Sequence, residues 1–227
     1  MVHHVKELHF NARVSRPNEH FARLLHEQFG GPNRELKAAL QYFVQAIGCR
    51  KEAPDKYDML MDIATEEFGH LEIIGATIQM LLKGVHGDFK NAVDESDLTT
   101  MLYGSTTRDN YIHEAMENPQ FFISSIETPF LNNSKDNPLN AAYIMGMGNL
   151  TADLRLNLSA ETSAKRVYEN LIKFTDDIYI KESLQFLMTR EMVHFQRFQA
   201  ALNSPLPDEE WPSMRIRYNM FGKLMSC

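Results

Sequence analysis

The sequence predicts an all-α protein: a four-helix bundle with a long crossover between its second and third helices and an extended C-terminal tail. Three observations predict this fold. The 227-residue chain is 44% apolar, which is enough for a substantial core. Apolar residues recur at helical spacing in four stretches. Two Glu-x-x-His blocks, Glu67 to His70 and Glu191 to His194, lie on the second and fourth of these stretches.

The first two helical stretches lie in the N-terminal half. The first runs from Glu19 to Gly48, and Gly30-Gly31-Pro32 predicts a break inside it, because proline interrupts helical hydrogen bonding. The second runs from Pro54 to Lys83, and Gly84 is a stop signal. Glu67 falls inside the apolar stripe of the second stretch, which consists of Leu60, Ile63, Leu71, Ile74, Ile78 and Leu81.

The third and fourth stretches lie in the C-terminal half. Asn137-Pro138 predicts the start of the third, since asparagine caps free amides and proline suits a first helical turn, and this helix continues to Phe174. The fourth follows Thr175-Asp176-Asp177 and ends near Leu202. Glu191 again lies inside an apolar stripe, formed by Ile180, Leu184, Leu187, Phe195, Phe198 and Leu202.

Residues 1–203 are therefore predicted to form one domain, with residues 85–136 as the crossover. The tail, residues 204–227, is rich in proline, aromatic and basic residues. It is too apolar for a simple disordered segment, so we expect it to pack on a neighbouring subunit.

Composition argues against several classes of protein. A net charge of −7 leaves no basic stripe for nucleic acid. No apolar run reaches the roughly 18 residues that a membrane span needs. The first residues lack the apolar segment of a signal peptide, and the two cysteines, Cys49 and Cys227, have no metal or redox spacing. We therefore expect a cytoplasmic protein that binds neither nucleic acid nor membrane.

The two Glu-x-x-His blocks indicate a metal centre. A glutamate and a histidine three residues apart share one helix face. Another glutamate lies about thirty residues upstream of each block, Glu35 for the first and Glu161 for the second, the spacing of two helices joined by a short loop. Carboxylates inside apolar stripes need a cation or a strong partner. The pattern predicts a two-metal site.

Simpler explanations compete for individual residues. One Glu-x-x-His block often arises by chance on a solvated helix. Glu35 could be an ordinary first-turn glutamate. Glu161 competes with Glu169 and Asp153, and it is favoured because Leu150, Leu154, Leu158, Ala164 and Leu171 bracket its face. Carboxylates and imidazoles without thiolates favour iron or manganese over a closed zinc site.

Four stretches carry a family resemblance: Glu27 to Pro32, Glu35 to Tyr42, Asp62 to Glu72, and Thr189 to Phe195. They resemble the manganese catalases, which are non-haem dimanganese enzymes of ferritin-like fold. The resemblance covers nearly the whole chain. It implies disproportionation of hydrogen peroxide to water and dioxygen, two manganese ions per subunit, and a homo-oligomer that is a hexamer in this family.

The resemblance also implies a role for each site residue. Glu35 and His70 would bind one manganese, Glu161 and His194 the other, and Glu67 would bridge the two. Glu191 would stay outside the ligands and handle protons, although bundle geometry alone makes it a ligand. Tyr42 would support the catalytic centre without binding metal.

The chain departs from the family pattern at Ala160, where some members place an arginine; Lys165 or Arg166 could take its place. Asp58 and Asp62 resemble a pair that binds structural calcium in some members, although two carboxylates fall short of the six or more oxygens that calcium takes.

Other functions of the same fold stay open from sequence. One is a di-iron oxidase or hydroxylase. Others are ferritin-like storage and a coat-type structural protein with weak activity.

Overall fold

The computed structural model describes residues 7–32, 34–83, 129, 131–135 and 137–204. These residues contain no β-strand; a single isolated bridge pairs Asn132 with Pro138. The all-α prediction is confirmed. The elements are α1 (Glu19–Gly30), α2 (Glu35–Cys49), α3 (Pro54–Leu82), a 3-10 turn (Ala141–Tyr143), α4 (Leu150–Lys173) and α5 (Ile178–Asn203).

The first predicted stretch is two helices, and the break falls where the glycines and the proline predict it. The side chain of Asn18 caps α1 by accepting a hydrogen bond from the Phe21 amide, 3.0 Å away. At the other end of α1, a Cβ on Gly30 would lie 2.5 Å from the backbone nitrogen and oxygen of Asn132. Glycine is therefore required there because two backbones touch.

Four helices form the bundle as two hairpins, α2 with α3 and α4 with α5, and α1 packs along α3. Two apolar clusters fill it. One contains Leu25, Ile74, Ile78, Tyr168 and Leu184, and the other contains Tyr42, Leu60, Ile63, Leu154 and Phe198. On α3, α4 and α5 the predicted metal ligands lie between the positions that feed these two clusters. The ligands are therefore held at mid-bundle by hydrophobic packing on both sides.

The predicted start of the third helix is wrong. Asn137-Pro138 directly follows a turn at residues 134–135, where the Asn133 side chain accepts hydrogen bonds from the amides of Lys135 and Asn137. The helix begins at Leu150, capped by Asn149, whose side chain accepts from the Ala152 amide at 2.8 Å. Asparagine followed by proline suits a turn as well as a helix start, and here the turn forms.

Two predictions lie largely outside the described residues. Of the predicted crossover, residues 85–136, the structure describes residue 129 and residues 131–135; of the predicted tail, it describes Ser204. The crossover's internal structure and the packing of the tail on a neighbour stay predictions. Among the described helices, none has the length and apolar character needed to cross a bilayer.

Candidate metal centre

Six predicted site residues meet at one point inside the bundle. Helix α2 contributes Glu35 and α4 contributes Glu161, while α3 and α5 each contribute one Glu-x-x-His block. Every one of these side chains is at most 2% exposed: Glu35, Glu67, His70, Glu161, Glu191 and His194. Glu35 is therefore an inward-facing residue, although it occupies the first turn of its helix.

Glu67 lies between the two histidines. Its Oε2 is 3.1 Å from Nδ1 of His70, and its Oε1 is 2.9 Å from Nδ1 of His194. The histidine rings stack with centroids 5.3 Å apart and an interplanar angle of 18°. One carboxylate thus presents a separate oxygen to each imidazole, the arrangement that a bridging ligand needs.

The outer glutamates complete the two halves. Glu35 Oε2 lies 3.5 Å from Nδ1 of His70, and Glu161 Oε2 lies 3.9 Å from Nδ1 of His194. Within the described residues, Glu67, His70, Glu191 and His194 also offer ligand atoms that all lie within 4.8 Å of one another. The six residues form one cluster, as the sequence predicts.

Several buried atoms of the cluster have no hydrogen-bond partner of good geometry: one oxygen each of Glu35, Glu67 and Glu191, Nδ1 of His194, and Nε2 of both histidines. Native proteins rarely leave such atoms unsatisfied, and a bound ion is one accepted reason. Lone pairs that converge on a shared point fit cations. Because the donors are carboxylates and imidazoles and the cluster contains no thiolate, they fit manganese or iron.

Glu66 lies on the far side of both imidazoles, a position that the sequence patterns did not predict. Its oxygens lie 3.6 Å from Nε2 of His70 and 3.3 Å from Nε2 of His194, and it forms an ion pair with Arg190. A carboxylate behind a metal-binding histidine fixes its orientation. The signal was available in the repeat: Glu66 and Arg190 are the residues that directly precede the two blocks.

Two buried tyrosines support the outer glutamates in a symmetric way. Tyr42 on α2 donates a hydrogen bond to Oε1 of Glu161 on α4, at 2.5 Å. Tyr168 on α4 donates to Oε1 of Glu35 on α2. The sequence reasoning found Tyr42 and missed Tyr168, yet each tyrosine follows its own helix's glutamate at the same spacing, Glu35 to Tyr42 and Glu161 to Tyr168.

The buried carboxylates and imidazoles of the cluster shift one another's pKa values. Burial opposes a charged imidazole, but the nearby carboxylates of Glu66 and Glu67 raise the pKa of His194 to about 9. Burial raises the pKa of Glu161 well above its usual range, and the negative charges of Glu191 and Glu67 add to the effect. Burial and the charge of Glu161 likewise raise the pKa of Tyr42, which therefore stays a neutral donor.

Glu191 lies as deep in the cluster as the predicted ligands. Its Oε1 is 3.3 Å from Nδ1 of His70, closer than the nearest oxygen of Glu35. The geometry therefore does not set Glu191 apart, and its predicted role outside the ligand set stays a prediction.

Two predicted substitutes for the missing arginine point away from the centre. Lys165 and Arg166 both bind Glu169 on the outer side of α4, so neither places its charge beside Glu161. Glu169, which competes with Glu161 in the sequence, therefore pairs with these two cations instead of facing the centre.

The suggested calcium pair is solvent-facing. Asp58 and Asp62 are exposed, and Asp62 accepts a hydrogen bond from Arg197 at 3.2 Å. Calcium binding there stays a prediction.

Fold and site together define a ferritin-like, two-metal protein in which paired hairpins each contribute a glutamate and a Glu-x-x-His block. The family profile described as "Manganese containing catalase" matches residues 1–216. The chain belongs to this family.

Individual relatives agree with the family profile. The chain is 34% identical over 205 residues to a probable manganese catalase of Clostridium acetobutylicum, covering 89% of this chain and 80% of that one. It is 33% identical over 204 residues to the uncharacterized protein YjqC of Bacillus subtilis, covering 89% and 69%. The crystal structure of KatB, a manganese catalase from Anabaena PCC7120, superimposes with a TM-score of 0.70 at 37% identity, covering 89% of this chain and 80% of KatB.

Proposed function

We propose that this protein is a dimanganese catalase that converts two molecules of hydrogen peroxide into two of water and one of dioxygen. The observation that carries the proposal is the convergence of four buried carboxylates and two buried imidazoles at one point, in a chain of this family. Two manganese ions, when bound, would supply the exchange of two electrons with peroxide.

The proposed ligand set follows the two halves of the cluster. Glu35 and His70 would hold one ion, and Glu161 and His194 the other. Glu67 would bridge them, which is supported by its two oxygens facing different histidines at 3.1 and 2.9 Å. Glu66, 3.6 and 3.3 Å from their Nε2 atoms, would help to keep both imidazole Nδ1 atoms aimed inward.

We propose that Glu191 moves protons. Its buried carboxylate lies inside the cluster, with Oε1 3.3 Å from Nδ1 of His70. Such a group can accept a proton from peroxide at its carboxylate oxygen and return that proton to the oxygen that leaves as water. The surrounding apolar clusters exclude bulk water, so the proton stays within the centre.

The direct test measures metal content and oxygen release together. We expect protein purified from cells grown with manganese to contain about two ions per chain, the number that this type of bundle site holds. It should release one dioxygen for every two peroxides consumed. Anomalous scattering above and below the manganese edge would identify the ions. Iron at the site with no oxygen release would instead favour the di-iron oxidase or hydroxylase, and many ions per chain would favour storage.

Changing Glu67 to alanine tests the bridge. Because one side chain would bind both ions, we expect Glu67→Ala to lose both, measured by elemental analysis. The control is Glu169→Gln, which changes a glutamate of α4 that binds Lys165 and Arg166 instead of the centre. A Glu67→Ala protein that keeps two manganese ions per chain would refute the bridging role.

Changing Glu191 to glutamine tests the proton role. The amide keeps the shape of the side chain but cannot accept a proton. We expect Glu191→Gln to keep both ions while turnover falls on the order of 10²-fold or more, the usual contribution of general acid–base catalysis. Loss of metal would make Glu191 a ligand, and full turnover with intact metal would remove it from the mechanism.

The assembly and location of the protein belong to the same proposal. We infer a homo-oligomer, a hexamer by family resemblance, that acts in the cytoplasm. Light scattering of the purified protein measures the assembly. A coat-type structural role would show instead as weak oxygen release from a protein that is fully loaded with manganese.

A further inference from the structure

Residues 8–15, which we call the N-terminal strap, lie before α1 and alternate between apolar and polar side chains. The apolar positions are Leu8, Phe10, Ala12 and Val14. Alternation with a period of two is typical of a non-helical chain that buries one of its faces. In the structure the strap contains neither helix nor strand, Ala12 belongs to the apolar cluster that contains Leu25, and the other three side chains pack against that cluster.

The strap runs along α5 in the opposite chain direction. Near its start, the ring of Phe10 stacks on the ring of Phe186, with centroids 4.9 Å apart and an interplanar angle of 23°. At its end, Ser15 donates hydrogen bonds to Asp177 from its amide, at 2.6 Å, and from its hydroxyl, at 2.9 Å. The strap is therefore attached to α5 near both of its ends.

The strap also contacts α3, at the first Glu-x-x-His block. A Cβ on Gly69 would lie 2.6 Å from both Cε1 and Nδ1 of His9. The imidazole ring of His9 therefore rests directly on the backbone of α3, and it can do so because residue 69 has no side chain. Gly69 directly precedes His70. The strap thus joins the two helices that carry the two blocks.

The strap lies next to the ion pair between Glu66 and Arg190. Glu66 is one turn from Gly69 on α3, and Arg190 is one turn from Phe186 on α5. The side chains of this pair are 19% and 31% exposed, and the Glu66 carboxylate lies 3.6 and 3.3 Å from the Nε2 atoms of the two buried histidines. The strap and the ion pair therefore link α3 to α5 on the outer side of the metal centre.

We propose that the N-terminal strap is a clamp on the metal centre: while it is closed it retains the divalent metal ions, and when it opens they exchange with solution. This proposal rests on the proposed function, because it takes the centre to hold manganese between ligands of α3 and α5. An ion held in this way leaves when ligands of the two helices move apart, and the strap opposes that movement through its contacts with both.

The strap is suited to open while the bundle stays folded. Helices that are packed on several sides open at a high free energy, whereas segments with partly buried apolar side chains and no helix or sheet hydrogen bonds open at a low one. Phe10 and Val14 are only half-buried, and the hydrogen bonds from Ser15 to Asp177 are exposed. Opening of the strap should therefore be far more frequent than global unfolding.

The wild type provides the first test. Manganese-loaded protein is mixed with excess EDTA, and the rate of manganese release is compared with the rate of global unfolding of the loaded protein, measured in urea and extrapolated to water. We expect release to be at least about tenfold faster than unfolding, because a local opening suffices. Equal rates would show that release requires global unfolding, and they would overturn the proposal.

Two variants disturb the strap at its two contacts. Phe10→Ala removes the ring that stacks on α5, and Gly69→Ala displaces the His9 ring from α3. Phe43→Ala is the control for the loss of a phenyl ring, since Phe43 is 42% exposed on α2. Gly48→Ala is the matched control for the glycine, since a Cβ on Gly48 meets nothing within 4 Å.

We expect Phe10→Ala to release manganese at least about tenfold faster than the wild type, and Gly69→Ala about threefold faster, while both controls stay within about twofold. The rate of global unfolding should change less than the rate of release. Release from Phe10→Ala at the rate of Phe43→Ala would overturn the proposal. If Phe10→Ala fails to fold, the comparison of Gly69→Ala with Gly48→Ala decides in the same way.

Hydrogen exchange in the metal-free protein tests the clamp without any metal. We expect Phe10→Ala to lower the protection of amides in residues 66–70 and 186–190 together, at least about threefold relative to Phe43→Ala. Unchanged protection in both stretches would overturn the clamp. A wild type that takes up no manganese would instead contradict the proposed function, and hydrogen exchange would still decide whether the strap holds α3 to α5.

Discussion

At the scale of single residues, each outer glutamate of the centre has a buried tyrosine as its hydrogen-bond partner. The glutamate and the tyrosine of each helix have the same sequence spacing, which makes the repeat visible in the sequence. Each outer glutamate receives a hydrogen bond from a tyrosine of the opposite hairpin, Tyr42 on Glu161 and Tyr168 on Glu35. Since both tyrosines are buried, each phenol satisfies a carboxylate oxygen that water cannot reach. The pairing leaves the other oxygen of each glutamate directed toward a histidine.

Removing either phenol should weaken the centre equally. We expect Tyr168→Phe and Tyr42→Phe each to lower manganese affinity or turnover roughly 10- to 100-fold, because phenylalanine fills the same space without the donor. Titration of the metal-free protein with manganese measures the affinity. Tyr143→Phe is the control, since Tyr143 is exposed on the 3-10 turn. If Tyr168→Phe matched Tyr143→Phe in both affinity and turnover, Tyr168 would have no part in the centre.

Glu67 and Glu191 were predictable from sequence because carboxylates are rare inside apolar stripes, and Glu35 and Glu161 because they lie about thirty residues before the two blocks. Glu66 and Tyr168 were not predicted, for different reasons. Glu66 sits beside Glu67, so a run of two glutamates hides the fact that one faces the Nδ1 atoms of the histidines and the other their Nε2 atoms. Tyr168 lies on the buried face of its helix, where an aromatic residue is expected for hydrophobic packing alone. Sequence patterns identify buried charge well and identify the partners of that charge poorly.

At the scale of elements, helix ends depend on which of several capping signals the chain uses. Asn137-Pro138 and Asn149 both qualify as starts for α4, and the structure uses Asn149. The positive φ of 65° at Gly148 places a glycine directly before that cap, where the left-handed backbone suits it. Tertiary contacts such as the Leu139 amide bonding to the Leu131 carbonyl hold the earlier asparagine in a turn.

Helix α5 depends on a cap that can be tested through pH. Asp177 accepts hydrogen bonds from the Tyr179 amide and from the amide and hydroxyl of Ser15, which ties the N-terminal segment to the start of the helix. Burial opposes its charge, but these donors lower the pKa of Asp177 below its usual value. The ionised carboxylate is therefore favoured in the folded protein.

We expect Asp177→Ala to lower the free energy of unfolding by about 1 kcal/mol at pH 7, the usual value of an N-cap. A group with a lowered folded pKa stabilises above its unfolded pKa, about 3.9 for aspartate, and loses this effect as the pH falls through the folded value. The difference in the free energy of unfolding between wild type and variant should therefore shrink below about pH 4. Urea unfolding at a series of pH values measures this difference.

Asp176→Ala is the matched control for that series. Asp176 precedes the cap and is fully exposed, with a single long contact to Lys181 at 3.8 Å. We expect its removal to change stability by less than about 0.5 kcal/mol at any pH. Equal losses for Asp176→Ala and Asp177→Ala would assign the effect to general surface charge instead of capping.

At the scale of the whole molecule, the repeated hairpin explains why the fold was predictable from sequence. Each hairpin places one glutamate opposite one Glu-x-x-His block, and two hairpins meet around those six residues. Apolar stripes above and below the charged layer determine which faces turn inward. The tail and most of the crossover follow no such repeat, so sequence alone predicts little of their packing.

A bundle that buries four carboxylates at one point should be more stable with its metals than without them. Without metal, protons and imidazolium charges must offset the burial of Glu35, Glu67, Glu161 and Glu191. A ligand that binds only the folded chain adds about 2.7 kcal/mol when its concentration is 100 times its dissociation constant. For a chain of this size, that corresponds to a rise in melting temperature of roughly 5–10 °C.

We therefore expect manganese to raise the melting temperature of metal-free protein by that amount, measured by calorimetry, and a chelator to reverse the rise. Magnesium should have little effect, because it keeps its waters and fits poorly among imidazoles. The Glu67→Ala variant separates specific from surface binding, since it keeps every exposed carboxylate and removes only the bridge. An equal rise in that variant would place the stabilising metal elsewhere on the protein.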